Sequence, residues 1–268
     1  MPRHLWYVIA VAAGLAAVAL GIAASPVAGS TAATGTLDLN TSLALVSQLA
    51  GCQPAGTATD CATRTAGGPF PGLGGVTAAY TYQMDLGSGS CTGGLGKALA
   101  YPIRLEVPGK GAIDVAVSEA ASCVSIESVR TQTQAFKITG GTGIYAQASG
   151  SGTLERALGE PGSDGSRHGL ETWRGTLAVP GLEFDVIAPK FVGAKSRAVV
   201  APRRAKRVRV RFAVTATDDV DGSVPATCKP RSGSGFPIGR TTRVRCSATD
   251  TSANAAKTSF RITVRRHR

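Results

Sequence analysis

Apolar and polar residues alternate one by one along most of the chain, which is the period of a strand with one buried face. In the first half, Val76, Ala78, Tyr80, Tyr82, Met84 and Leu86 fall in one phase and Thr77, Thr81, Gln83 and Asp85 in the other. Ile103, Leu105 and Val107, then Ile113, Val115 and Val117, repeat the rule around Pro108-Gly109-Lys110-Gly111, a hairpin-type turn. Further strand-like runs lie at 136–139, 152–158, 170–179 and 182–187, and no convincing amphipathic helix interrupts them. About eight strands, each with one apolar face, predict an all-β domain closed into an antiparallel, calycin-like barrel.

The last third follows the same rule with arginine on the polar face. Residues 207–214 put Val208, Val210, Phe212 and Val214 on one side and Arg207, Arg209 and Arg211 on the other. Val244 and Cys246 alternate with Arg243 and Arg245, and Phe260, Ile262 and Val264 with Arg261 and Arg265. Turn signals separate these strands: Asp218-Asp219-Val220-Asp221-Gly222, Arg231-Ser232-Gly233-Ser234-Gly235, and residues 250–254. The pattern predicts a small β-sandwich.

Charge divides the chain at the same place. Of the formal charge of +12, residues 1–188 hold 10 Lys and Arg against 13 Asp and Glu, and residues 189–268 hold 19 against 4. The boundary is placed at Ala188-Pro189, giving a barrel over 34–188 and a basic second domain over 189–268.

Residues 1–33 read as a secretory signal peptide: a short basic start, an apolar run over 5–24, and small residues that suit cleavage between Ser25 and Ala33. The run of 20 residues is also long enough for an uncleaved membrane anchor, the alternative reading. Export agrees with the cysteines. Six of them form three short-range sets, Cys52 with Cys61, Cys91 with Cys123, and Cys228 with Cys246, and none has the CxxC spacing of a zinc or redox site. Six cysteines allow fifteen connectivities; only Cys228 and Cys246 lie in the second domain, so their pairing is the firmest and the rest stay open. A bridge there encloses 17 residues, worth roughly 3 kcal/mol to so small a domain by chain entropy. Arginine outnumbers lysine 21 to 8 beside abundant alanine and glycine, a bias that fits a GC-rich, actinobacterial genome.

The second domain resembles a hyalin-repeat (HYR) module. The residues that carry the likeness are Ala216-Thr217-Asp218-Asp219-Val220-Asp221-Gly222, Val224-Pro225-Ala226-Thr227-Cys228, Gly233-Ser234-Gly235-Phe236-Pro237-Ile238-Gly239, Val244-Arg245-Cys246-Ser247-Ala248-Thr249-Asp250 and Ser259-Phe260. The resemblance implies an immunoglobulin-like sandwich, an extracellular location and a role in adhesion without catalysis. Such modules usually occur in arrays, whereas one copy is found here, and its arginine rows are denser than the family requires. More weakly, Phe136-Lys137-Ile138-Thr139-Gly140-Gly141-Thr142-Gly143-Ile144-Tyr145 and the strand after it resemble dirigent and allene oxide cyclase-like barrels. That likeness covers under twenty residues and implies a barrel more than an activity.

Little points to chemistry. His168, in the glycine-rich stretch 159–169, is the one histidine outside the leader and the terminal tail, and neither HExxH nor GxSxG occurs. The carboxylates of the first domain, among them Asp85, Glu106, Asp114, Glu171, Glu183 and Asp185, fall mostly in the polar phase and are expected outside. Tyr80, Tyr82, Met84, Phe136, Tyr145 and Trp173 fill or line the barrel. Asp218, Asp219, Asp221 and Asp250 are residues that β-turns select, so no metal or cofactor is assigned, and no catalytic residue either.

The expected function is therefore non-enzymatic binding or adhesion outside the cell. Arg207, Arg209, Arg211, Arg243 and Arg245 would contact an anionic cell-wall polymer or an extracellular protein. Nucleic acid is not the expected partner, because no aromatic is interleaved with the arginines to stack on bases. A membrane enters only if the leader is retained. The alternative is a small-molecule carrier or cyclase that uses the barrel interior.

Overall fold

A computed structural model describes residues 33–49, 51–86, 91, 95–125 and 131–267. The leader expected over 1–33 lies outside the described residues apart from Ala33. Among the described residues no helix is long and apolar enough to cross a membrane.

The chain is all β. Its first ten strands are β1 (Ala33–Gln48), β2 (Asp60–Phe70), β3 (Gly74–Asp85), β4 (Leu95–Ala98), β5 (Tyr101–Val107), β6 (Gly111–Val117), β7 (Val124–Ser125), β8 (Thr131–Gly141), β9 (Ser149–Pro161) and β10 (Arg167–Phe184). Eight of these close an up-and-down antiparallel barrel in which β1, β2, β3, β5, β6, β8, β9 and β10 each pair with the next and β10 returns to β1. The short β4 and β7 pair with one another and extend the sheet from β3.

Alternation sends Tyr101, Ile103, Leu105 and Val107 of β5 inward while Pro102, Arg104 and Glu106 face solvent, and the other strands follow suit. Phe136 of β8 packs on Trp173 of β10 with ring centroids 5.0 Å apart. The glycines of the central strands make room for this. A Cβ on Gly152 would fall 2.0 Å from the Arg174 carbonyl oxygen and 2.7 Å from the Phe136 ring. Gly143, at φ +60°, opens the 3-10 turn Gly143–Tyr145 that reverses the chain between β8 and β9.

Two runs expected as separate strands, 170–179 and 182–187, are one strand, β10, which ends at Phe184. Pro180-Gly181 stays within it because the register with β1 shifts there, between Thr34 and Thr36, so the missing proline N–H is not needed by the ladder.

Nine shorter strands follow: β11 (Lys190–Val192), β12 (Arg197–Val200), β13 (Arg207–Arg209), β14 (Thr215–Asp218), β15 (Gly222–Val224), β16 (Ala226–Lys229), β17 (Gly235–Pro237), β18 (Arg240–Thr249) and β19 (Ala255–Arg265). They form a four-stranded sheet ordered β12-β19-β18-β16, a three-stranded sheet β11-β14-β15 and the pair β13-β17. Val244, Cys246, Phe260, Ile262 and Val264 of the four-stranded sheet share one core with Val208, Val210 and Phe236. The layers therefore meet as an immunoglobulin-like sandwich, with Phe212 set edge-on to Phe260 at 5.1 Å. Regular pairing of the expected strand 207–214 covers only Arg207–Arg209, although burial alternates as far as Val214.

Disulfides join Cys52 to Cys61, Cys91 to Cys123 and Cys228 to Cys246. The last crosses β16 and β18 at directly opposed positions. Barrel and sandwich touch through the β2–β3 turn, where Gly72 N–H donates to the Ser252 carbonyl at 2.8 Å. Asn254 Nδ2 likewise donates to the Asp185 carbonyl at 2.9 Å.

Candidate functional site

Two places hold charge in an arrangement that packing alone does not require. The first is the barrel interior. Arg64 of β2, Arg156 of β9 and Glu171 of β10 all point inward and are buried. Arg156 Nε pairs with Glu171 at 3.1 Å, and Trp173 Nε1 donates to the same carboxylate at 3.1 Å. The Tyr80 hydroxyl also donates to Glu171, and that of Tyr82 to Gln132. Arg156 NH1 and the Tyr101 hydroxyl share Gln134 Oε1 at 2.8 and 3.2 Å. Arg64 lies 3.5 Å over the Tyr82 ring.

Burial raises the Tyr80 hydroxyl well above its ordinary pKa, with the Arg156 charge opposing and the Glu171 charge adding to the rise. Tyr82 and Tyr101 are raised by burial too, against the pull of the arginines. For Arg156 burial disfavours the charge, but Tyr101, Tyr80 and Glu171 outweigh it and keep the guanidinium protonated.

The outward expectation thus fails at Glu171, fully buried, and at Asp85 and Asp185, both buried as well. Glu171 stands in the same phase as Trp173 on β10, so the apolar register of that strand carried the signal. Arg156 likewise stands in phase with Leu154 and Leu158 on β9, whereas Arg64 had no such marker, because its in-phase neighbours are Ala62 and Ala66. The pocket at the mouth of this network, beside Arg64, Tyr82, Met84, Gln132 and Arg156, has a volume of about 150 Å³. Ligand pockets usually run from roughly 300 Å³ upward. A wider, more open pocket of about 980 Å³ runs along β3, β5 and β6, lined by Tyr80, Tyr101, Ile103, Arg104, Asp114 and Val115. Phe136, Tyr145 and Trp173 are core, and His168 is an exposed residue of β10 bonded to Ser166 Oγ at 3.2 Å.

The second place is the outer face of the four-stranded sheet. Lys229 of β16, Arg243 and Arg245 of β18, and Lys257, Arg261 and Arg265 of β19 all lie exposed on it. Register sets Arg243 directly opposite Arg261 and Lys229 opposite Arg245. None of the four strands contains an acidic residue. A shallow groove on this face is lined by Lys229, Arg245, Ser247, Lys257 and Ser259.

The five arginines singled out in the sequence are not brought together. Arg243 and Arg245 stand on this face, whereas Arg207, Arg209 and Arg211 project from the opposite layer, since Val208, Val210 and Phe212 between them point into the shared core. Arg207 is further tied to the Gly235 carbonyl. Lys229 and Lys257 complete the face and escaped the sequence reading: β16, which carries Lys229, is too short to show its period, and the alternation of β19 is apolar only from Phe260 onward.

The HYR domain family matches residues 184–264. No curated protein and no solved structure matches the chain. The HYR domain and the three disulfides fit an extracellular protein and an adhesion-type module. Within the HYR domain the basic face has no aromatic residue: its outward positions beside the cations are Ser, Thr, Ala and Val. Such a surface can neutralise phosphate or carboxylate groups along a polymer but offers no ring for stacking.

Proposed function

We propose that this is a secreted, non-enzymatic binding protein whose HYR domain grips an anionic cell-wall polymer through the outer face of the β12-β19-β18-β16 sheet. The observation that carries the reading is the opposition of Arg243 to Arg261 and of Lys229 to Arg245 on strands without a carboxylate. Like charges directly opposed destabilise a sheet. A polyanion laid across the face relieves that repulsion and supplies counter-charges in a row. The barrel serves as a partner domain, its interior crossed by the buried Arg156–Glu171 pair.

The test is retention of the full chain on purified, immobilised anionic wall polymer, and on the same polymer stripped of its charged groups, eluted with a salt gradient. Retention on the charged polymer alone, lost as salt screens the contacts, is the expected outcome. Equal retention on the stripped polymer, or none on either, overturns the proposal.

A further inference from the structure

Where the barrel meets the HYR domain, three segments distant in sequence bring carboxylates together. Asp185 follows β10, Asp221 lies in the β14–β15 turn, and Asp250 opens the turn between β18 and β19; one oxygen of each lies within 4.8 Å of those of the other two. Asp218 belongs to the same turn as Asp221 and accepts that residue's N–H at 3.1 Å. Asp185, Asp218 and Asp250 are each only 8% exposed. Among the described residues none of the four is in an ion pair with a lysine or arginine.

Turn chemistry accounts for part of this arrangement. Asp221 accepts from Thr251 N and Oγ1, Asp250 from Asn254 N and Nδ2, Asp185 Oδ1 from Ile187 N, and Asp218 Oδ1 from Val220 N. It does not reach the second oxygens of Asp185 and Asp218. Both are buried without any hydrogen-bond donor. A buried acceptor left without a donor is costly, and more so when it is charged and set among like charges.

We propose that Asp185, Asp221 and Asp250, with Asp218 beside them, bind one calcium ion that ties the HYR domain to the barrel. Calcium takes six to eight oxygens at roughly 2.3–2.6 Å, so ligands on opposite sides of it stand about 5 Å apart, as these carboxylates can. Magnesium, at roughly 2.0–2.1 Å, needs a tighter octahedron. An all-oxygen donor set selects a hard cation over zinc or copper. The position gives the ion a role: Asp185 is in the connection leaving the barrel, and the 250–254 turn that holds Asp250 already touches the barrel through Ser252.

The full chain, freed of metal with EGTA, is titrated with calcium chloride in a calorimeter and melted with and without about 1 mM calcium, a concentration suited to extracellular sites. One ion per chain and a melting temperature higher by about 5 °C with calcium are expected. Asp221→Asn weakens binding at least tenfold. In EGTA that variant is at least as stable as the native chain, because one repelling charge is gone; in calcium it is less stable. Absence of calcium-dependent heat and melting shift overturns the proposal. So does native affinity in an Asp185→Asn/Asp221→Asn double variant, or an equal shift from magnesium at the same concentration.

Discussion

Arg243 and Arg261 face one another across β18 and β19 at directly paired positions, and no acidic residue stands on either strand. Stability alone would favour a carboxylate at one of the two. Arg261→Glu should therefore stabilise the protein, by about 0.5–1 kcal/mol at low ionic strength, while weakening its hold on a polyanion. Urea unfolding at low and high salt checks the first effect, and the gain should shrink as salt rises.

Inside the barrel the sign is reversed. Glu171 is the acceptor on which Arg156, Tyr80 and Trp173 converge. Glu171→Gln leaves the Arg156 charge buried without its counter-ion and should cost about 3–5 kcal/mol. Denaturant unfolding followed by the emission of Trp173 would show it; a loss under about 1 kcal/mol would mean that the network relaxes around the change.

The four tyrosines of the barrel, Tyr80, Tyr82, Tyr101 and Tyr145, are all raised by burial, Tyr145 to about 12. A raised folded value means that stability is complete below the ordinary tyrosine pKa near 10 and is lost as pH climbs past it. Ultraviolet titration should show these side chains staying protonated at pH 10.5, then ionising together as the barrel unfolds. A smooth titration centred near 10 would contradict their burial.

The Cys228–Cys246 bridge joins opposed residues of β16 and β18. Replacing both cysteines with alanine should lower stability by roughly 3 kcal/mol. Urea unfolding followed by circular dichroism would measure the loss.

The legible part of the fold was whatever obeyed strict alternation. Strands such as β5, β6 and β19 were readable because each buries every second residue as Ile, Leu, Val or Phe. β1 was equally readable through Leu37, Leu39, Leu43 and Leu45, yet went unassigned. β2 was hidden, since its inward positions are Ala62, Arg64 and Ala66. The HYR domain was legible from its punctuation, the aspartate and glycine turns around two cysteines.

The site was less so. Alternation shows which arginines face out, but not which layer of a sandwich they face out from, and that separates Arg243 and Arg245 from Arg207, Arg209 and Arg211. The meeting of Asp185 with Asp221 and Asp250 depends on how the barrel's exit and two turns come together, which no local period encodes.

The division of the arginines between two layers supplies the most direct measurement. Two triple variants of the full chain, Arg243→Glu/Arg245→Glu/Arg261→Glu and Arg207→Glu/Arg209→Glu/Arg211→Glu, change charge by the same amount on opposite faces. Their equilibrium binding to purified anionic wall polymer is compared with that of the native chain at one salt concentration. If the four-stranded sheet is the contact surface, the first variant loses at least about tenfold in affinity, the equivalent of 1.4 kcal/mol, and the second stays close to native. Equal losses in both would reduce the interaction to net charge, and native binding by the first would contradict the assignment of function to that face.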